Sequence, residues 1–302
     1  MQAPCNPSMP TMYHAKFSIP ARLLRSAIGA FGLCAASMLA GCENLPSLLP
    51  PPAGSAEVLL MGEQHDQPDH QRQIAAEVQR LIAQGRLAAL VLEMVDSDRD
   101  STALYRASPE EQVRETLGWD DRGWPWAAYG PAVMIAVRAG IPVLGGNLPR
   151  KQMAAVMADS RIDTQLTEPV RALISQAVHD GHCGMLKADQ LPAMVRVQMT
   201  RDQRMAETLL RARLKAGAGQ VVMLHAGEQH VARDRGVPLH LDRLGVPTGQ
   251  MRVVAFGDGE LPVDERRPAE RVDSIDHCAE FRAQMERRKA APAAAQAASQ
   301  AG

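Results

Sequence analysis

The stretch Glu57-Val58-Leu59-Leu60-Met61-Gly62-Glu63-Gln64-His65 decides how the fold is read. Its apolar run is short, is halted by Gly62 and passes into a polar tetrad. That is the pattern of a strand buried on both faces with a loop leaving its end. A helix is expected next, because Pro68 suits a first helical turn and Ile74, Val78, Leu81 and Ile82 recur at helical spacing until Gly85. Residues 87–92, closing on Glu93, read as a second buried strand. Strand, helix, strand makes a parallel crossover the default connection.

Outward from this unit the same grammar repeats. Residues 135–139 read as helix, 141–144 as a strand leaving through Gly145-Gly146-Asn147, 205–214 as helix, and 221–224 and 251–256 as strands. Strands alternating with helices predict an α/β fold, a mainly parallel sheet flanked by helices. Residues 152–198 carry apolar positions at helical spacing and no strand, so they are expected to form a small all-helical second domain inserted between main-domain segments 56–151 and 199–281.

The two ends read differently. Lys16, Arg22 and Arg25 precede an apolar, small-residue run that closes on Leu39-Ala40-Gly41-Cys42, the form of a lipoprotein signal peptide over 1–41. The run is too short to span a bilayer comfortably, so cleavage and acylation of Cys42 are expected, anchoring the chain to a membrane by lipid. Glu43 stands where aspartate often retains bacterial lipoproteins at the inner membrane, which favours the outer membrane. Residues 42–55, with Pro50, Pro51 and Pro52, form an extended tether. Residues 282–302 end in Ala, Pro, Gln, Ser and Gly and are expected to be a disordered tail.

The formal net charge is −1 and no Lys/Arg-rich run stands clear of acidic neighbours, which excludes a nucleic-acid-binding surface. After signal removal Cys183 and Cys278 remain as free thiols. An oxidising compartment permits them to pair, but nothing in the sequence brings their Cα atoms within bonding distance.

A second apolar run, Val221-Val222-Met223-Leu224-His225-Ala226, also ends in Gly-Glu-Gln-His, at residues 227–230. In a parallel sheet the loops leaving the strands' carboxyl ends share one rim, where such folds bind their ligands. Glu63, His65, Glu93, His225, Glu228 and His230 are therefore expected at one crevice, with Gly62 and Gly227 allowing backbone conformations that a Cβ would oppose. Carboxylates with imidazoles suit acid/base chemistry or a divalent metal, for which Glu63, His65, Glu93, Glu228 and His230 are the candidate ligands. His225 lies inside the apolar run, where a core histidine is equally at home, and His70 is expected on the first helix's opening turn, facing solvent or the crevice mouth.

Several motifs together resemble the ChaN-like haem-binding uptake lipoproteins: Gly62-Glu63-Gln64-His65-Asp66 with Pro68-Asp69-His70, Leu92-Glu93-Met94, Gly146-Asn147, His182-Cys183-Gly184-Met185, Arg201-Asp202-Gln203-Arg204, and 227–230 followed by Gly236-Val237-Pro238. The resemblance runs in order over residues 56–256. It implies a main α/β domain with a small helical one, an outer-membrane lipoprotein, and haem held between two protomers of a homodimer. An outer-membrane haem receptor would be a further partner. The wider superfamily includes metal-dependent proteases and erythromycin-esterase-like hydrolases.

The resemblance also implies a tyrosine on the haem iron without saying which. Tyr129 is chosen over Tyr105, because it follows Trp119, Trp124 and Trp126, which gather all three tryptophans into one segment. Glu63, His65, Glu93 and His230 are the other candidate haem-site residues. Arg150, Lys151, Lys187 and Arg196 stand in or beside the insert as cations for propionates, and His182 and Met185 are conceivable iron ligands. Two functions follow: a haem-binding protein, or a metal-dependent hydrolase using the Glu/His cluster. The chain has no His-Glu-x-x-His helix and no Gly-x-Ser-x-Gly elbow, so haem binding without catalysis is the preferred reading.

Overall fold

The computed structural model describes residues 57–272, 276, 278–279, 281–283 and 286–287. The expected signal peptide, Cys42 and the tether lie outside these residues. Six strands, β1 (Glu57–Glu63), β2 (Leu87–Asp96), β3 (Val143–Asn147), β4 (Val221–Gly227), β5 (Met251–Phe256) and β6 (Glu265–Arg267), form one parallel sheet in the order β3-β2-β4-β1-β5-β6. β1 and β4 run side by side at its centre, and only Glu57 of their residues is not buried. Their Val, Leu and Met side chains must therefore be covered on both faces, which is why both runs are continuously apolar.

One face is covered by α1 (Pro68–Ala83), α2 (Glu110–Leu117) and α3 (Trp126–Ala139), packed over a core that includes Ile74, Val78, Leu117 and Val133. The other is covered by α6 (Leu191–Lys215) and α8 (Val237–Arg243) over Leu60, Val91, Leu209, Leu224 and Leu241. The chain leaving β1 enters α1 on the first face, and the chain leaving β4 passes through α7 (Glu228–Val231) to α8 on the second. Two adjacent parallel strands whose connections diverge to opposite faces leave a crevice at their carboxyl ends.

Several boundaries differ from those read in sequence. Gly62 does not stop β1: Gly62 and Glu63 continue the ladder opposite Ala226 and Gly227. Neither Gly62 nor Gly227 has positive φ. Their value is close approach, since a Cβ on Gly62 would lie 2.3 Å from Val231 Cγ2 and 2.9 Å from Glu228 Cα, and one on Gly227 2.8 Å from His65 Nε2. The short strand β6 had no signal in the sequence.

Between β3 and β4, α4 (Met153–Ala158), α5 (Glu168–Gly181) and the first half of α6 enclose a separate small core of Ile162, Ile174, Val178, Val195 and Met199. α6 runs unbroken across residues 198 and 199, so the helical layer shares a helix with the sheet layer instead of meeting it at a linker. Cys183, in the α5–α6 connection, is disulfide-bonded to Cys278 with the Cα atoms 5.5 Å apart, a pairing that the sequence left open. Only tertiary folding brings together residues 95 positions apart. Residues 281–283 and 286–287 are helical, and most of the expected tail lies outside the described residues. Among the described residues no helix is long and apolar enough to cross a membrane.

Candidate functional site

The crevice between the ends of β1 and β4 holds two linked ionic chains. In the first, Glu63, the last residue of β1, places Oε1 2.8 Å from His65 Nδ1 and Oε2 3.0 Å from His225 Nε2. The His225 contact is close without hydrogen-bond alignment. Gln71, one turn into α1, donates to Glu63 Oε2 at 2.6 Å. Burial works to raise the Glu63 pKa, but the imidazoles of His225 and His65 outweigh it and hold the carboxyl at about 2. His65 is raised above its ordinary value by Glu63 and Glu93 although burial opposes this.

In the second chain His230 lies between two carboxylates, with Nδ1 2.6 Å from Asp202 Oδ1 and Nε2 3.3 Å from Glu93 Oε1. Glu93 Oε2 accepts the Gly227 amide at 2.8 Å, and Asn147 Nδ2 donates to the Glu93 carbonyl at 2.7 Å, tying the end of β2 to the neighbouring strands. Burial lowers the His230 pKa, yet Glu93 and Asp202 together lift it to about 10, so the imidazole is cationic at neutral pH. Glu93 is held well below the carboxylate range against the effect of burial, mainly by His230, whereas burial pushes Asp202 up despite the same histidine. The imidazolium thus sits between one firmly ionised carboxylate, Glu93, and one, Asp202, that takes up a proton more readily.

The structure therefore brings Glu63, His65, Glu93, His225 and His230 to one rim. It turns Glu228 away: the side chain points to Arg266, 3.6 Å from Oε2, and burial raises its pKa. Among the described residues no three His, Cys, Asp or Glu side chains are arranged to hold a metal ion. The cluster's carboxylates are spent on imidazoles and amides. His70 is on the first turn of α1 as expected, but it is buried, stacked on Phe256 at 5.3 Å and accepting the Gln64 amide at 3.0 Å.

Asp202 and Gln71 escaped the sequence reading as site residues. Asp202 did leave a signal: with Val195, Met199, Met205, Ala206 and Leu209 it lies on the buried stripe of α6, where a lone acid needs a partner.

Residues 52–241 match the family described as haem-binding uptake, Tiki superfamily, ChaN. The chain belongs to that family. Among solved structures it is similar to ChaN of Campylobacter jejuni, described as binding haem cofacially, at 23% identity over 69% of this chain and 84% of that one, with a TM-score of 0.56. A Bacillus cereus protein (13% identity, 74% and 73% covered, TM-score 0.38) and the erythromycin esterase EreC in its open conformation (15%, 67% and 70%, 0.35) overlap too loosely to inform the site. No curated protein matches the chain in sequence.

For a ChaN-family chain the placement of the tyrosines matters. Tyr129 is 1% exposed, packed 5.4 Å from the His225 ring and 5.8 Å from Trp124, with its hydroxyl 3.5 Å from His65 Nδ1. Burial, reinforced by the charge of Glu63, drives its pKa far above the usual phenol value, which opposes the phenolate form that binds ferric iron. Tyr129 thus packs beneath the rim, against His225 and Trp124. Tyr105, in the connection between β2 and α2, is 82% exposed. Glu63, Glu93 and His230 are buried, so only His65 of the candidate haem-site set meets solvent, its side chain 42% exposed and its ring edge-on to Trp124 at 4.8 Å.

The remaining haem candidates are also constrained. Arg196 is paired with Asp163 and Lys151 with Asp98, which leaves Arg150 and Lys187 as the expected propionate partners without an acid among the described residues. Cys183 is in the disulfide, His182 Nδ1 is 2.7 Å from the Val178 carbonyl, and Met185 is partly exposed.

Proposed function

We propose that this protein binds haem through the oxygen of Tyr105, as a homodimer held by acylated Cys42 at the outer membrane, and serves haem uptake there. Family membership over residues 52–241 carries this reading. The Leu39-Ala40-Gly41-Cys42 motif supports the lipid anchor, and cofacial haem in the Campylobacter jejuni relative is what two protomers each presenting one haem would produce. Of the two tyrosines among the described residues, Tyr105 alone has an oxygen that an external porphyrin can reach, so the axial role passes to it from Tyr129. An outer-membrane haem receptor is the partner such a store would deliver to.

Ferric haem added to the full chain in detergent is expected to give a shifted Soret band and a tyrosinate-to-iron charge-transfer band. Tyr105→Phe should remove the charge-transfer band, and Tyr129→Phe should leave it in place. No spectral change with the wild-type chain would reject haem binding; loss of the band only in Tyr129→Phe would return the ligand to Tyr129.

A further inference from the structure

In a parallel sheet each connecting helix runs back against the strands, so helices end where strands begin. Here α1, α3, α6 and α8 lead through residues 84–86, 140–142, 216–220 and 244–250 into β2, β3, β4 and β5. Their last turns therefore share the edge opposite the crevice. β1 starts at that edge too. The Glu57 amide donates to the Gln220 carbonyl at 3.0 Å, and Arg86 donates to Glu57 Oε2 at 2.9 Å and to the Gly219 carbonyl at 3.1 Å. The chain that leads back to Cys42 thus leaves the sheet from this edge.

The edge is cationic and carries exposed leucines. Arg80 is paired with Glu77, Arg86 with Glu57 and Arg252 with Glu265. Arg138 near the end of α3, Arg211 and Lys215 near the end of α6 and Arg243 at the end of α8 are exposed and have no acidic partner among the described residues. Two carboxylates stand against these four. Asp242 is exposed beside Arg243, and Asp100 lines a groove with Arg211 and Lys215 and accepts the Thr102 amide at 2.8 Å. The helix dipole accounts for a cation in a last turn. It does not account for Leu214, 58% exposed, or Leu244, 41% exposed, which adjoin Lys215 and Arg243 in the chain.

We infer that this edge docks on anionic phospholipid headgroups, with Arg138, Arg211, Lys215 and Arg243 meeting the phosphates and Leu214 and Leu244 entering the interface between them. The inference rests on the lipid anchor proposed above and adds what a tether cannot supply. Fully extended, residues 43–56 reach roughly 50 Å, so the anchor alone leaves the domain free to turn. Docking fixes its orientation. The carboxyl ends of β1 and β4 then lie farthest from the bilayer, and the Glu/His crevice opens away from it.

The lipidated chain, reconstituted in vesicles of phosphatidylcholine alone or with added phosphatidylglycerol, tests the orientation separately from the anchor. An environment-sensitive fluorophore is placed at Leu214→Cys or Leu244→Cys, and at Lys187→Cys, exposed before the opposite end of α6, as the control. With phosphatidylglycerol the emission at 214 and 244 should shift to the blue and that at 187 should not. High salt, or Arg211→Glu with Lys215→Glu and Arg243→Glu, should abolish the shift while the chain still floats with the vesicles. Circular dichroism should confirm that each variant is folded. If the chain floats but 214 and 244 stay unshifted, or 187 shifts as much, the docking edge is overturned and the anchor stands. A shift as large on neutral vesicles, or one that survives the charge reversals, overturns headgroup recognition. If the chain floats with neither kind of vesicle, anchor and docking edge both fall.

Discussion

The two Gly-Glu-Gln-His tetrads are identical in sequence and opposite in use. In the first, Glu63 is buried and His65 is half-exposed; in the second, Glu228 is only partly buried and His230 is buried. The cause is an offset of one residue. β1 and β4 pair so that Glu63, not Gly62, stands opposite Gly227. One tetrad therefore begins inside its strand while the other begins at its last residue and turns at once into α7. With a side-chain period of two, a slip of one residue exchanges which side chain faces the interior. An echo in sequence thus marks a shared location without assigning a shared role.

The sharpest way to break this comparison is to delete both glutamates separately. Glu63→Ala leaves the buried His225 imidazole and the Gln71 amide without their carboxylate and should cost about 3–5 kcal/mol. Glu228→Ala loosens one partly exposed contact to Arg266 and should cost under about 1 kcal/mol. Urea unfolding midpoints measure both, and similar costs would mean that the offset has no energetic meaning.

Next in size is the dependence of stability on pH, where the two tetrads should control opposite limbs. Glu63 has a folded pKa of about 2, below its ordinary 4.5, so its contribution is full above pH 4.5 and is lost as pH falls toward 2. Glu93, also depressed, adds to this acid limb. His230 is raised from 6.5 to about 10, so its contribution is full below pH 6.5 and is lost as pH rises toward 10. His230→Gln should flatten the alkaline limb and keep the acid one. An unchanged alkaline limb would show that His230 is not the cation between Glu93 and Asp202.

The glycines sharpen the comparison further. Gly62→Ala sets a methyl against the Glu228 backbone, which cannot step aside, and should cost about 2–3 kcal/mol. Gly227→Ala meets the His65 ring, which can swing outward, and should cost about 1 kcal/mol, visible as a smaller fall in melting temperature. Smallest of all, His65→Ala should change stability by under about 1 kcal/mol, since that ring is partly in water. A larger loss would mean that the Trp124 contact, rather than the ion pair, anchors the loop.

Much of the fold was legible because it rests on local periodicity. The apolar runs at β1, β2, β4 and β5 and the helical spacing of α1 each report burial directly. The start of α3 at Trp126 was hidden, because helical spacing was read only from residue 135 and Pro131 lies inside the helix. β6 was too short to show a period. At the site, the gathering of Glu63, Glu93, His225 and His230 followed from parallel topology. Their partners did not, because Asp202 reaches His230 from a helix 28 residues away and Gln71 reaches Glu63 from the opposite flank of the crevice.

By itself the sequence determined which segments are strands and helices, that both tetrads meet at one edge, and which family the chain joins, because these depend on local composition and on motifs kept in order. Only the tertiary structure decided which member of each tetrad is buried, which tyrosine an external ligand can reach, and that Cys183 meets Cys278. Each of those depends on what lies across a strand register or a helix packing, and such distances are written in no single stretch of chain.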